Sequence, residues 1–251
     1  MLRHRVIPIV LLDGYAVVKT IRFDVRRNLG NPITVARIYN TRNVDELILL
    51  DIDATKEGRR IDMATIQDVA SECFMPLCVG GGLRTLDDIA EALASGADKV
   101  SINAEGLKNP AFLAEASRMF GNQCIVASVD VVRDGGQTRL HAHASHALPE
   151  LSVVDWCRRA EALGCGEILL NSVDRDGTMT GYDVELIAAV SRAVRIPVIA
   201  AGGAAEPADA VRALRDGGAA AVAAASIYHF TNYTPLEVKG EIARAGLPVR
   251  L

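Results

Sequence analysis

The sequence predicts a single α/β domain over residues 1–251, a (β/α)8 TIM barrel built from two repeated half-barrels. Apolar runs of strand length alternate with helical patterns from end to end, and no composition break or low-complexity linker divides the chain. An internal repeat relates the two halves. The chain has 251 residues, a usual size for one such barrel, and half of them are hydrophobic. These features together favour a closed barrel over an open doubly wound sheet.

Eight apolar runs are the predicted strands, and the segments between them carry apolar residues at helical spacing. Thr85 followed by two aspartates predicts a helix start, and Gly96 and Gly217 predict helix ends. The last strand is made of small residues, which let neighbouring helices pack closely. In chain order the predicted strands are Val6–Leu12, Glu46–Ile52, Pro76–Val79, Lys99–Ile102, Cys124–Asp130, Glu167–Asn171, Pro197–Ala200 and Ala221–Ala225.

Three pairs of similar segments define the repeat. Glu46-Leu-Ile-Leu-Leu resembles Glu167-Ile-Leu-Leu, and Pro76-Leu-Cys-Val-Gly-Gly-Gly resembles Pro197-Val-Ile-Ala-Ala-Gly-Gly. A third pair begins at Ala92 and at Ala213. All three pairs are separated by the same 121 positions, close to half the chain. Two fused four-unit halves close naturally into eight strands.

Composition narrows the classes of function. The net charge of −4 gives no basic footprint for nucleic acid, so small molecules and proteins are the expected partners. No run approaches the roughly 18 apolar residues of a membrane span. The apolar start of the chain is interpreted as a first strand rather than a signal peptide, because it is short and meets Asp13-Gly14 at once. Five cysteines without a C-x-x-C pair indicate a reducing compartment. We expect a cytoplasmic protein without a cofactor.

In this fold the active site lies at the carboxyl ends of the strands. Gly80-Gly81-Gly82 follows the third predicted strand and Gly202-Gly203 the seventh, while Asn103 and Ser226 end the fourth and eighth. Glycine lets backbone N–H groups approach an anion closely. The duplication therefore predicts two facing phosphate sites, which would suit a substrate with a phosphate at each end. The alternative is that these glycines only make tight turns.

Carboxylates also fall at strand ends. Asp130 ends the fifth predicted strand, and Asp174–Thr178, which contains Asp176 and Gly177, forms a polar turn after the sixth. Such carboxylates are the expected general acid or base, although loop-orienting roles remain open. His141, His143 and His146 alternate on a predicted exposed hairpin without acidic or cysteine ligands nearby, so no metal site is predicted.

Four stretches carry a resemblance to a known family. They are Gly80–Gly82, Gly96–Asn103, Glu167–Thr178 and the ending Pro248–Leu251. They resemble HisF, the cyclase subunit of imidazole glycerol phosphate synthase, over nearly the whole chain. That family takes ammonia from a HisH-type glutaminase docked on the amino-terminal face of the barrel, and it cyclises a bis-phosphorylated ribulosyl substrate. The resemblance implies a (β/α)8 fold, a heterodimer with such a glutaminase and a phosphorylated ligand.

Site residues follow from the resemblance position by position. It implies a charged gate for ammonia at Arg5, Glu46, Lys99 and Glu167, each near the start of its strand. It implies catalytic roles for Lys19, Asp130 and Asp176. The implied substrate- and phosphate-binding residues are Gly81, Gly82, Asn103, Gly177, Thr178, Gly202, Gly203 and Ser226.

The first strand departs from the family pattern. The family ends that strand with a catalytic aspartate, and the ungapped register from Arg5 to Lys19 places Leu11 there. Asp13 lies two residues further on, roughly 6–7 Å along the strand. Leucine cannot transfer protons, so canonical cyclase chemistry is in doubt. Ala104 and Ala201 also stand where the family usually carries hydroxyls.

The departure divides the functional hypotheses. A HisF paralogue group associated with acetamidino modification of bacterial surface sugars also has this leucine and a stretch like Ser71–Cys78. The resemblance to it implies that the barrel and its glutaminase supply ammonia to a sugar amidotransferase for amidine formation. One alternative is an authentic histidine-pathway cyclase in which Asp13 has taken over. Another is a non-catalytic scaffold that channels ammonia. The related isomerase HisA has no use for the gate.

Overall fold

The computed structural model describes residues 3–142 and 150–251. Its strands are β1 (Arg5–Asp13), β2 (Ala16–Ile21), β3 (Val25–Gly30), β4 (Leu47–Asp51), β5 (Leu77–Gly80), β6 (Lys99–Ile102), β7 (Ile125–Asp134), β8 (Gln137–His141), β9 (Glu167–Ser172), β10 (Val198–Ala201) and β11 (Ala221–Ala224). Its α-helices are α1 (Pro32–Thr41), α2 (Met63–Ala70), α3 (Leu86–Ala94), α4 (Ala104–Lys108), α5 (Pro110–Phe120), α6 (Val153–Ala162), α7 (Val184–Ser191), α8 (Pro207–Arg215), α9 (Ser226–Phe230) and α10 (Pro235–Arg244).

Eight parallel strands close into the predicted barrel. The order around it is β1, β4, β5, β6, β7, β9, β10 and β11, and β11 pairs again with β1. Arg5 stands opposite Ala221 at the closing seam. The fold prediction is therefore confirmed, and every predicted strand overlaps a barrel strand. Helices between the strands cover the outside, as the alternation of patterns indicated.

The two faces of each strand explain the core. On β1, Ile7 packs inside the barrel, while Val6, Val10 and Leu12 pack outward against the helices. This is the period-2 alternation of a strand, and here both faces are buried. The inner cluster consists of Ile7, Ile48, Cys78, Val126, Leu169, Ile199, Ala201, Ala221 and Ala223.

Helix starts follow the capping chemistry in the sequence. The Thr85 hydroxyl accepts a hydrogen bond from the Asp88 N–H, and the Asp88 carboxylate accepts one from the Thr85 N–H. This reciprocal box fixes the start of α3, as Thr85 predicted. Thr234 and Glu237 form the same box at the start of α10. No helix in the two described ranges is both long and apolar enough to cross a membrane.

Two antiparallel hairpins extend beyond the barrel. β2 and β3 follow β1 and form a hairpin over its carboxyl end. β8 pairs with the extended end of β7 through a turn at Gly135 and Gly136, both with positive φ, which suits a tight hairpin. His141 is the last residue of β8, so the predicted hairpin is present there. His143 and His146 lie outside the described residues.

Candidate active site

A cavity of about 700 Å³ opens at the carboxyl ends of the barrel strands. The β2–β3 hairpin forms part of its wall through Lys19, Thr20, Phe23 and Arg26. Most of the predicted site residues meet here. Those that line the cavity are Lys19, Gly81, Gly82, Asn103, Asp130, Asp176, Gly177, Gly202, Gly203 and Ser226.

Two glycine pairs lie at matching places in the two halves. A Cβ on Gly81 would lie 2.6 Å from the carbonyl oxygen of Asp51, and one on Gly202 would lie 2.5 Å from that of Ser172. The second glycine of each pair, Gly82 or Gly203, has positive φ and even less space. Asp51 and Ser172 are themselves 121 positions apart. The repeat in the sequence is therefore a repeat in space, and both turns require glycine.

Asp130 lies deep in the cavity, held by two amides. The Asn103 side chain donates to Asp130 Oδ2 at 2.7 Å, and the Asn171 side chain donates to Oδ1 at 3.3 Å. Burial raises the pKa of Asp130 to about 7, although both amide donors oppose the shift and Asp176 adds to it. The carboxyl faces the cavity but is otherwise surrounded by protein. A group with this pKa can donate or accept a proton near neutral pH.

Asp176 ties the hairpin to the opposite side of the cavity. Lys19 Nζ lies 3.1 and 3.0 Å from the two carboxylate oxygens of Asp176, and the Thr20 hydroxyl donates to one of them at 3.0 Å. A Cβ on Gly177 would lie 2.3 Å from the Thr20 carbonyl oxygen, so a glycine lets the hairpin approach. Thr178 does not line the cavity as described. Its hydroxyl donates to the Arg175 carbonyl oxygen at 2.8 Å.

Leu11 faces the same cavity from β1. Its Cα partner on β4 is Leu50, whereas the partner of Asp130 on β9 is Asn171. Leu50 and Asn171 are separated by the repeat length of 121 positions, so Leu11 holds in the first half the place that Asp130 holds in the second. Asp13 is half exposed, pairs with Arg26 at 2.8 Å and is absent from the cavity lining as described.

Several buried polar atoms of the cavity wall have no hydrogen-bond partner among residues 3–142 and 150–251. They are Ser101 Oγ, Asn103 Oδ1 and Ser226 Oγ, and all three residues line the cavity. An unsatisfied buried polar atom costs free energy. Polar groups of a ligand could satisfy these atoms, which makes them candidate contacts for a substrate.

Some polar residues of the cavity were not among the predicted site residues. Asn171 ends a predicted strand, and the repeat length connects it with Leu50, but it was given no role. Three cationic residues, Lys56, Arg84 and Lys108, line the cavity on the side of Gly81 and Gly82. They lie in the loops and the short helix α4 that follow barrel strands. No sequence motif distinguishes them there from ordinary surface cations.

The predicted gate residues meet at the opposite end of the barrel. Arg5 lies 2.7 Å from Glu46 and 2.7 Å from Glu167, and Lys99 lies 2.9 Å from each of the same glutamates. The four side chains therefore form a closed ring of alternating charge, which we call the charged ring. Burial alone would lower the pKa of Lys99, but the two glutamates outweigh it and raise that pKa.

Metal-binding groups do not gather in the described residues. No cluster of three or more His, Cys, Asp or Glu side chains with metal-site geometry occurs in residues 3–142 and 150–251. The rings of His141 and Phe23 lie 6.2 Å apart between centroids and are tilted by 57°, and Phe23 lines the cavity. The described cavity lining offers carboxyl, amide, amine and hydroxyl side-chain groups.

The fold and the site define a (β/α)8 barrel with two repeated halves, a polar cavity at one end and a charged ring at the other. Comparison with known proteins identifies the family. The family described as "Histidine biosynthesis protein" matches residues 5–234. The hisF2 protein of Campylobacter jejuni, which carries the name of an imidazole glycerol phosphate synthase subunit, is 48% identical over 251 residues, all of both chains. The HisF subunit of imidazole glycerol phosphate synthase from Dehalococcoides mccartyi strain 195 is 46% identical, over all of this chain and 99% of the relative. The chain belongs to the HisF family of the histidine biosynthesis proteins.

Proposed function

We propose that this HisF-type subunit receives ammonia from a HisH-type glutaminase and supports formation of an acetamidino group on a bacterial surface sugar. The observation that carries the proposal is a contrast between the two ends of the barrel. The charged ring is complete, while Leu11 occupies the cavity position that mirrors Asp130. Ammonia admission is retained, and one of two proton-transfer groups is missing.

The glutaminase would bind the amino-terminal face as a heterodimer. The charged ring lies at that end, where Arg5 and Lys99 remain partly exposed. Ammonia entering there would pass the apolar inner cluster before reaching the cavity. The acceptor chemistry would then involve a sugar amidotransferase as a further partner.

A phosphorylated small molecule is the proposed ligand of the cavity. The two glycine turns line the cavity, and Ser226 and Asn103 each offer a buried atom without a hydrogen-bond partner in the described part of the chain. Backbone N–H donors of glycine turns bind phosphate oxygens. Lys56, Arg84 and Lys108 add positive charge beside the first turn. In this proposal Gly177 contributes by letting the β2–β3 hairpin approach the turn after β9. Thr178 contributes by holding that turn through its hydrogen bond to the Arg175 carbonyl oxygen.

Asp130 is the proposed proton-transfer group, with Lys19 and Asp176 as the other proposed catalytic residues. Its pKa of about 7 matches a general acid or base near neutral pH. Leu11 cannot supply a second such group, and losing a general acid or base typically costs about 10²–10⁴ in rate. Asp13 is a poor substitute, because its carboxylate pairs with Arg26 and its side chain is not part of the described cavity lining.

A histidine-pathway cyclase is the second candidate. The identity of 46% to a HisF subunit over the full chain favours it. In that case the cavity would close the imidazole ring with Asp130 alone or with a water in place of the second carboxylate. A non-catalytic scaffold, favoured by Leu11, would stimulate the glutaminase without forming a product.

The test uses purified protein with excess ammonium salt and the histidine-pathway ribulosyl bisphosphate substrate. The unmodified chain is compared with Leu11→Asp and with Leu11→Asn, a matched variant that is polar but cannot exchange a proton. We expect binding without turnover in the unmodified chain and Leu11→Asn, and turnover in Leu11→Asp. Turnover by the unmodified chain would instead establish the cyclase assignment and reject the proposal.

A further inference from the structure

Lys239 is a fully buried lysine, with 0% of its side chain exposed. It lies on α10 among Pro235, Val238 and Ile242, which are also buried. An apolar residue would fill this position without the cost of desolvating a charge. The stability of α10 alone therefore does not explain why this buried position is a lysine. The hydrogen-bond partners of Lys239 indicate its role.

Lys239 reaches from α10 to the segment that leads into β4. Its Nζ donates to the Asn43 carbonyl oxygen at 2.6 Å and to Asp45 Oδ1 at 2.8 Å. The other carboxylate oxygen of Asp45 accepts a hydrogen bond from the Val6 N–H at 2.8 Å. The Asp45 N–H in turn donates to the Val6 carbonyl oxygen at 3.2 Å. Lys239 thus orients Asp45, and Asp45 clamps the backbone of β1.

The clamp lies directly beside the charged ring. Val6 follows Arg5 in the chain, and Asp45 precedes Glu46. These two neighbours form one edge of the ring, at 2.7 Å. The clamp therefore holds together the backbone segments that carry the Arg5 and Glu46 side chains. The second half has no such carboxylate, because the equivalent of Asp45, 121 positions on, is Gly166.

We propose that Lys239 is a positioning residue for the charged ring, acting through Asp45 and the Val6 N–H. The proposal deepens the role given to the ring under the proposed function, but it concerns ring geometry and not turnover. Under the proposed function ammonia passes through the ring, so the geometry of the ring sets the width of that passage. Asp98, which precedes Lys99, makes the same two hydrogen bonds to the backbone of Leu77, at 2.8 Å each. Both edges of the ring that meet at Glu46 therefore start from clamped backbone, and Lys239 holds the carboxylate of the Arg5–Glu46 clamp.

Two double variants separate positioning from simple stabilisation. Lys239→Met with Asp45→Asn removes both charges but keeps a side-chain oxygen that can accept from Val6. Lys239→Met with Asp45→Leu also removes both charges and offers no acceptor. Replacing a buried ion pair by apolar side chains is often neutral for stability, so both variants should fold. Circular dichroism and thermal unfolding check the fold.

The readout is the side-chain ammonium signal of Lys99 in protein labelled with ¹⁵N-lysine, assigned by its loss in Lys99→Arg. A lysine held between two glutamates exchanges protons slowly and gives such a signal. We expect the signal to persist in the Asn variant and to be lost in the folded Leu variant. Arg158→Met, which removes an exposed cation of α6, is the control that should leave it unchanged.

Retention of the Lys99 signal in the folded Leu variant would overturn the proposal and leave Lys239 a structural ion pair. If the Leu variant does not fold, Lys239→Met alone decides, because it removes the cation that holds Asp45 Oδ1 while the acceptor for the Val6 N–H stays in place. A shifted or lost Lys99 signal supports the proposal, and an unchanged one rejects it. The measurement needs neither partner nor substrate, so it stands apart from any failure of the proposed function.

Discussion

Leu11 and Asp130 occupy equivalent positions in the two halves of the barrel. Leu11 pairs in register with Leu50, and Asp130 pairs in register with Asn171. Asn171 lies one repeat length, 121 positions, after Leu50. The cavity therefore has an apolar side formed by Leu11, Leu50 and Ile9, and a polar side around Asp130. Of these two equivalent positions, only that of Asp130 carries a carboxyl group.

The pKa of Asp130 makes stability depend on pH. In the folded state the carboxyl keeps its proton up to about pH 7, whereas its ordinary pKa is 3.8. Between these values the folded state binds more protons, so the free energy of unfolding falls as pH rises. We expect the stability of the wild type relative to Asp130→Asn to decrease from pH about 4 to about 7 and then level off. Urea unfolding across this range measures it, and a constant difference would contradict the shift.

Alanine substitutions at two glycines with similar φ distinguish the cost of a steric clash from the cost of backbone strain. Gly82 has φ +65°, and a Cβ there would lie 2.0 Å from the Arg59 carbonyl oxygen. Gly58 has nearly the same φ, +70°, but no atom within 4 Å of such a Cβ. We expect Gly82→Ala to cost several kcal/mol more than Gly58→Ala and to weaken inorganic phosphate binding. Thermal unfolding and phosphate titration measure both effects, and equal losses would show that strain alone matters.

His229 should destabilise the protein in mild acid. Burial lowers the pKa of His229 to about 4, and the charges of Lys19 and Arg42 add to this. The unfolded chain takes up a proton near pH 6.5, so stability is lost as pH falls from about 6.5 to about 4. The shift corresponds to at most about 3 kcal/mol, less because the ring is partly exposed. We expect His229→Asn to be less sensitive to pH in this window, and parallel unfolding curves would contradict it.

The barrel was predictable because its signals are local and repeated. Apolar strands at regular intervals and segments 121 positions apart define the eight strands and both glycine turns. The β2–β3 hairpin was not predicted. Its turn uses Arg22 and Phe23, which adopt positive φ without a glycine or asparagine, and β3 is exposed and polar. Neither a turn signal nor an alternating pattern identifies it in the sequence.

The cavity shows a similar limit. Asp130 and the glycines stand at strand ends, where position alone indicates a role. Asn171 was included in a predicted strand, but its hydrogen bond to Asp130 depends on register between β7 and β9. The Lys239–Asp45 contact joins residues 194 positions apart. Such pairings follow from closure of the barrel and leave no periodic trace in the chain.

The charged ring balances its own charges. Glu46 is only 2% exposed, and Arg5 and Lys99 both bond to its Oε2 atom, so the ring compensates a carboxylate that would be costly alone. Its second oxygen, Oε1, is buried without a hydrogen-bond partner in the described structure. Removing Lys99 leaves Glu46 and Glu167 with Arg5 as their single cationic partner in the ring. The ring should then lose its closed geometry while the distant cavity stays intact.

We expect Lys99→Ala and Glu46→Ala to lower glutamine-dependent product formation strongly while leaving the reaction with free ammonium salt nearly unchanged. The reason is that the ring lies at the opposite end of the barrel from Asp130, so it affects delivery and not the acceptor chemistry. The measurement supplies ¹⁵N-glutamine and unlabelled ammonium together to the complex with its glutaminase and the sugar amidotransferase of the proposed function. It then determines the isotope in the amidine product. Arg158→Ala, which removes an exposed cation of α6 outside the described cavity lining, is the matched control. An equal loss with both nitrogen sources would remove the ring from ammonia transfer and assign it to stability, where breaking a buried ion pair costs about 3–5 kcal/mol.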